Sequence, residues 1–197
     1  MSELDELHKR IVQCSRCKLR SECTQVVPGT GPISAQVVFL VEAPRVREDT
    51  EGVPLVGRAG QLFRKALIGA RIKSKHVYIS NMVHCRPPED RDPEPDEVEA
   101  CWDWTLDTLK IIRPRIVVPI GRPVLFTLAY KLGFNKKIGQ NPISKLAGKP
   151  IFIPERNFYC YPMLPLTFAL YRQDVRSTFM AHMKYLGAAI PGWLERT

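Results

Sequence analysis

The chain has 197 residues, 45% hydrophobic and 25% charged, a size and balance that fit one globular domain over residues 1–197 and exclude a disordered or fibrous polypeptide. Its 29 Lys and Arg against 20 Asp and Glu give a net charge of +9, which favours a polyanion such as nucleic acid as partner. No basic amphipathic helix with a bulky apolar face supports a membrane surface instead. The amino-terminal stretch MSELDELHKRIVQC carries no apolar run of signal-peptide length, and the longest apolar runs, VVFLV and IVVPI, are strand-sized, so a cytoplasmic protein is expected.

In chain order, residues 2–13 read as a short helix with Ser2 as N-cap and Asp5 in the capping-box position. Four β-rich runs bounded by Gly, Pro or charge follow at 35–44, 76–83, 114–121 and 157–163. Helical stretches lie between them, at Ala59 to Ile72, Pro95 to Ile112 and Pro123 to Leu132. A last helix runs from Asp174 to Leu186, and PGWLERT is expected to be a tail. Strands alternating with helices imply right-handed βαβ units and a parallel sheet covered on both faces. The unbroken apolar character of the first and third strands fits that burial.

In such sheets ligands bind beyond the carboxyl ends of the strands. The loop after the first strand carries Glu42, Glu48 and Asp49, then GRAG opening a helix, with Arg58 among its residues. That helix start is either an anion site or a close packing point through Gly57 and Gly60. The loop after the second strand follows Asn81 and holds Cys85, Arg86 and Arg91. Asn81 reads as a turn former or a base reader. The basic segment GFNKKIGQNPISKLAGKP (133–150) either follows a DNA backbone or is a solvated loop. Trp102 and Trp104 belong to a helical face suited to the core.

Six cysteines in a reducing compartment are more often buried, catalytic or metal-bound than paired. Cys14 and Cys17 form a C-x-x-C, and Cys85 and Cys101 add two thiols at the ends of a proline-rich charged loop. Fifteen residues between the second pair strain a zinc-ribbon reading, whereas an iron–sulfur cluster tolerates looser spacing. Spacing alone leaves a metal or cluster site and scattered core cysteines both open.

Taken in order, VEAPRVRED, GVPLVGRAGQLF, VYISNMVHCRPPEDRDPEPDEVEAC and RPRIVVPIG resemble the motifs of the family 4 uracil-DNA glycosylases, the iron–sulfur branch of that superfamily. The likeness runs from Cys14 through Gly121 and resumes near Tyr161 to Arg176. It implies a three-layer α/β/α sandwich around a central, mainly parallel sheet, here of the four predicted strands. It implies a [4Fe–4S] cluster on Cys14, Cys17, Cys85 and Cys101, with Cys23 and Cys160 left as free thiols. It also implies a hydrolase that flips a nucleotide out of DNA and cleaves its N-glycosidic bond; a monomer is expected. Asn81 matches the position that reads the base edge, and Glu42 and Glu48 match acidic positions assigned to water positioning and sugar-charge stabilisation. Arg58, Arg86, Arg91, Leu170, Tyr171 and Arg172 are the expected DNA contacts.

Three residues depart from the family pattern: Arg45 stands where glycine is usual, Leu55 where phenylalanine stacks on uracil, and Pro165 where a histidine is usual. Leu55 offers no flat π-face, and stacking is worth about 1–3 kcal/mol per base. Pro165 has no N–H to give the leaving base, and losing one such donor costs on the order of a hundredfold in rate. With Asn81, these three residues form the expected substrate pocket. The expectation is a pocket widened for a bulky modified base, such as a modified cytosine in phage DNA. The alternatives are an ordinary uracil-DNA glycosylase of base excision repair and a degenerate iron–sulfur DNA-binding protein.

Overall fold

The computed structural model describes residues 2–195. Helix α1 (Glu3–Val12) starts with a reciprocal capping box, the Asp5 N–H donating to Ser2 Oγ at 3.2 Å and the Ser2 N–H to Asp5 Oδ2 at 2.8 Å. A single turn, α2 (Leu19–Glu22), precedes strand β1 (Val37–Val41). The loop after β1 folds into α3 (Val46–Glu51) and leads to α4 (Arg58–Gly69). Next come β2 (Val77–Asn81), α5 (Pro95–Ile112), β3 (Ile116–Pro119) and α6 (Arg122–Leu132). The basic segment at 133–150 contains two single turns, α7 (Asn135–Ile138) and α8 (Ile143–Leu146). The chain closes with β4 (Ile151–Ile153), β5 (Phe158–Cys160), α9 (Leu166–Tyr171) and α10 (Gln173–Glu195).

The sheet has five strands in the order β2-β1-β3-β5-β4 rather than the four expected. β1, β2, β3 and β5 are mutually parallel, and β4 is the addition, an antiparallel edge strand paired with β5 through Phe152 and Tyr159. Three residues between Pro150 and Pro154 are too short a run to announce a strand.

All five β1 residues are buried because both faces of the sheet are covered. Val37, Phe39 and Val41 meet α4, α9 and α10, where Phe39 packs edge-on against Phe63 at 4.8 Å between centroids. Val38 faces α1 and α5, and Leu40 faces α5 and α6. These are the three layers. The expected tail is instead the last turn of α10: helix continues through Pro191 to Glu195, and buried Trp193 stacks on Tyr159 at 5.0 Å. Arg196 and Thr197 lie outside the described residues. Among those residues no helix is long and apolar enough to cross a membrane.

β1 lies between β2 and β3; the chain moves from β1 to β2 on one side and then crosses back over β1 to β3 on the other. The reversal opens a crevice beyond the carboxyl ends of β1 and β3, the position where open α/β sheets bind ligands.

Candidate active site

A cavity of about 120 Å³ occupies that crevice. Glu42, Arg45, Leu55, Asn81 and Pro165 all line it, and Glu48 reaches it from α3. The residues that sequence motifs left scattered over 124 positions thus converge on one site. Ile120, Pro123 and Thr167 also line it and escaped the sequence reading, since apolar and hydroxyl side chains near a strand end carry no signal of their own.

Asn81 is the last residue of β2, in register with Val41 of β1. It is 1% exposed, and its Nδ2 has no hydrogen-bond partner. Buried amides are almost always satisfied, so an unpartnered donor facing a cavity points to a ligand group that completes it. Glu42, the first residue beyond β1, is half-buried. Burial raises its pKa above the ordinary glutamate value, Asp92 pushes the same way, and Arg45 opposes both.

Glu48 is 6% exposed and fully engaged with backbone: it accepts the Gly57 N–H at 2.9 Å and the Arg45 N–H at 3.3 Å. The start of α4 therefore already holds an anion, the protein's own carboxylate, which ties the two ends of the loop together. Asp49 is used in the same manner, accepting the Thr24 N–H at 3.0 Å. Leu55 reaches the cavity from a left-handed backbone conformation, φ 55°. Its carbonyl oxygen accepts from Arg64 at 3.1 Å and would lie 1.6 Å from a Cβ at position 60, so only glycine fits there. Arg45 donates from Nη1 to the Asp90 carbonyl, and Asp90 in turn accepts from Arg86 Nε at 2.6 Å. The pocket wall and the charged loop are thereby joined. Glu89 and Asp90 hold this loop through two consecutive positive φ angles, 53° and 57°.

That loop ends in thiols, as its sequence showed. Cys14, Cys17, Cys85 and Cys101 line one small cavity between the segment that follows α1, the loop after β2 and α5, with no carboxylate among its walls. Two N–H groups aim at the sulfurs: Trp104 Nε1 at Cys14 Sγ, 3.2 Å, and the His84 N–H at Cys101 Sγ, 3.4 Å. Burial raises the pKa of Cys17, Cys85 and Cys101, that of Cys101 to about 12, so thiolates here require a neutralising cation. Among the described residues no three ligating side chains converge on a single ion position. Four soft donors around a shared space, with N–H groups toward sulfur, fit a multi-iron cluster better than one metal ion. Cys23 is buried beside Cys85, and Cys160 is enclosed in β5, away from the cavity.

The expected DNA contacts divide into three groups. Arg58 is exposed at the head of α4, over the ring of Tyr171 at 5.8 Å, and Tyr171 is 75% exposed at the end of α9 beside Leu170. Arg172 shares an exposed ion pair with Asp174 at 2.7 Å. Arg86 and Arg91 are engaged inside the cysteine-bounded loop. Arg86 holds Asp90, and Arg91 forks onto the buried Glu97 at 2.8 and 2.5 Å, which keeps that carboxyl well below the ordinary glutamate pKa. Sequence reading found the charge of Arg91 but not the acid that claims it.

The frame is a three-layer α/β/α sandwich with a small pocket at its topological switch point, in a chain of net charge +9, a combination that suits a protein acting on a polyanion. The uracil DNA glycosylase superfamily model matches residues 28–182. The chain is 35% identical to a type-4 uracil-DNA glycosylase of Archaeoglobus fulgidus over 95% of its own length and 93% of the relative's. It is 35% identical to one of Sulfurisphaera tokodaii (89% and 80% covered) and 38% identical to one of Thermotoga maritima (75% and 78% covered). The chain belongs to the uracil DNA glycosylase superfamily and, within it, to the type-4 family. It is a DNA glycosylase, a hydrolase of N-glycosyl bonds.

Proposed function

We propose that the protein acts as a monomer on DNA, draws a pyrimidine nucleotide into the β1–β3 pocket and hydrolyses its N-glycosidic bond there, leaving an abasic site. The observation that carries this reading is the buried, unpartnered Asn81 amide at the pocket wall. Its N–H donor matches the acceptor edge of a pyrimidine and strengthens as negative charge grows on the departing base. Glu42, whose pKa burial raises above the ordinary glutamate value, holds the attacking water and takes its proton. Glu48 is a positioning residue, since its oxygens are occupied by backbone N–H groups. Arg45 takes the part of the absent histidine: one guanidinium N–H is committed to Asp90, and the others remain to balance charge on the base.

Cys14, Cys17, Cys85 and Cys101 would hold a [4Fe–4S] cluster, which would tie both ends of the loop 85–101 to one point. A reducing, cytoplasmic setting suits these thiols. The base itself is proposed to extend beyond uracil: Leu55 and Pro165 give aliphatic walls without the stacking ring or imidazole of a uracil-only pocket, so 5-substituted cytosines are included. The cavity, at about 120 Å³, is close to one ring in size, which makes uracil the competing substrate. Oligonucleotides carrying uracil, hypoxanthine or 5-substituted cytosines, treated with enzyme and then alkali, separate these outcomes. Strand cleavage at uracil or at a 5-substituted cytosine, lost in Asn81→Ala, supports the reading; cleavage at hypoxanthine alone overturns the pyrimidine assignment, and binding with no cleavage at any base overturns the whole reading in favour of a DNA-binding protein.

A further inference from the structure

A larger concave surface lies at the opposite end of the strands. It is a groove of about 700 Å³ at the amino ends of β3 and β5, between the carboxyl-terminal turns of α5 and α6. Its floor is apolar: Leu106 and Leu109 are only partly covered, and Leu132 and Phe158 lie beneath them. Its rim holds Lys110, Arg113, Arg115 and Arg156, with no acidic residue among the lining side chains. Lys110 has Asp107 beside it at 3.2 Å, but Arg113, Arg115 and Arg156 enter no ion pair among the described residues. The two turns that set the rim are held in left-handed conformations at non-glycine residues, Arg113 (φ 50°) and Asn157 (φ 52°).

Arg113 Nε donates to the Lys110 carbonyl at 3.3 Å, which leaves its charge unbalanced, and three guanidinium groups without a carboxylate around one groove repel each other and concentrate anions there. Phosphate groups alone do not satisfy the site, because the apolar floor would stay wet under a sugar–phosphate strand. A ligand that fits both parts carries carboxylates for the rim and a bulky apolar side chain for the floor. We propose that this groove docks a short acidic peptide segment of a partner protein, with Leu or Phe side chains on the floor and Asp or Glu on the arginines. Because the base pocket sits at the carboxyl ends of the strands and the groove at the amino ends, the partner and DNA are held at once.

The probe is a fluorescein-labelled ten-residue peptide of Asp, Glu, Leu and Phe, followed by anisotropy. Two controls replace its acids by Asn and Gln, or its Leu and Phe by Ser. Both controls should bind at least tenfold more weakly, and Arg115→Glu with Arg156→Glu should weaken the parent peptide by a similar factor. Arg156→Glu alone, at an exposed position, keeps the test sound if the double variant melts early. DNA bound at the pocket should leave the peptide in place. Equal binding of the neutral peptide, no binding of any peptide, or displacement by a DNA oligonucleotide would each overturn the proposal, the last assigning the groove to a second DNA segment.

Discussion

Replacing Asn81 by alanine should separate stability from activity. Its Nδ2 is buried without a partner, a state that costs a folded protein about 1–3 kcal/mol. Alanine removes that penalty, and the space left merges with a cavity already present, so little packing is lost. At about 2–4 °C per kcal/mol for a chain of this size, the melting temperature should hold or rise by a few degrees. The rate should move the other way. A preorganised donor to a developing anion contributes about 2.7–4 kcal/mol, which is a fall of roughly a hundredfold to a thousandfold. Single-turnover cleavage of a uracil oligonucleotide and a thermal melt on the same preparation give both quantities. A melting temperature lowered by more than about 5 °C, with activity falling only as the folded fraction falls, would show that Asn81 supports the fold and would refute the argument.

Cys85→Ala and Cys101→Ala should lose iron and the broad absorbance near about 400 nm, while Cys160→Ala, away from the thiol cavity, keeps both; stoichiometric zinc without iron in anaerobic protein would contradict this. Arg58→Ala should lower the slope of log K for DNA against log salt by about one. Arg91→Ala should instead lower the melting temperature, because it strips buried Glu97 of its bidentate partner, and binding and melting curves of the two variants distinguish the roles. On the proposed mechanism the ionised form of Glu42 is the active one, and its pKa is raised, so activity should fall as pH drops through a value above the ordinary 4.5. Arg45→Ala removes the opposing cation and should move that acid limb higher, whereas Glu42→Gln should abolish it; a pH–rate profile unaltered by either change would remove Glu42 from the reaction.

The parallel frame was legible because β1 and β3 are apolar at every position, as strands covered on both faces must be. β4 was not, since Ile151–Ile153 gains its strand character only by pairing with β5. The last turn of α10 was hidden by Pro191 and Gly192, which read as breakers; the packing of Trp193 against Tyr159 and Tyr161 overrides them. The positions of Glu42 just beyond β1 and of Asn81 at the end of β2 were readable because topology fixes where such residues go. Arginine partners were not readable: nothing in the spacing tells that Arg91 belongs to Glu97, or that the helix start after Gly57 is filled by Glu48. These pairings depend on loop paths set by Leu55, Glu89 and Asp90 at positive φ.

The most direct measurement follows both products of one turnover, free base by mass spectrometry and abasic sites by alkaline cleavage, from a uracil oligonucleotide and a 5-substituted cytosine oligonucleotide. Base and abasic sites should appear together in equal amounts from at least one substrate, and vanish together in Asn81→Ala while DNA binding persists. Tight DNA binding with no base released from either, or release that Asn81→Ala leaves intact, would contradict hydrolysis at the β1–β3 pocket.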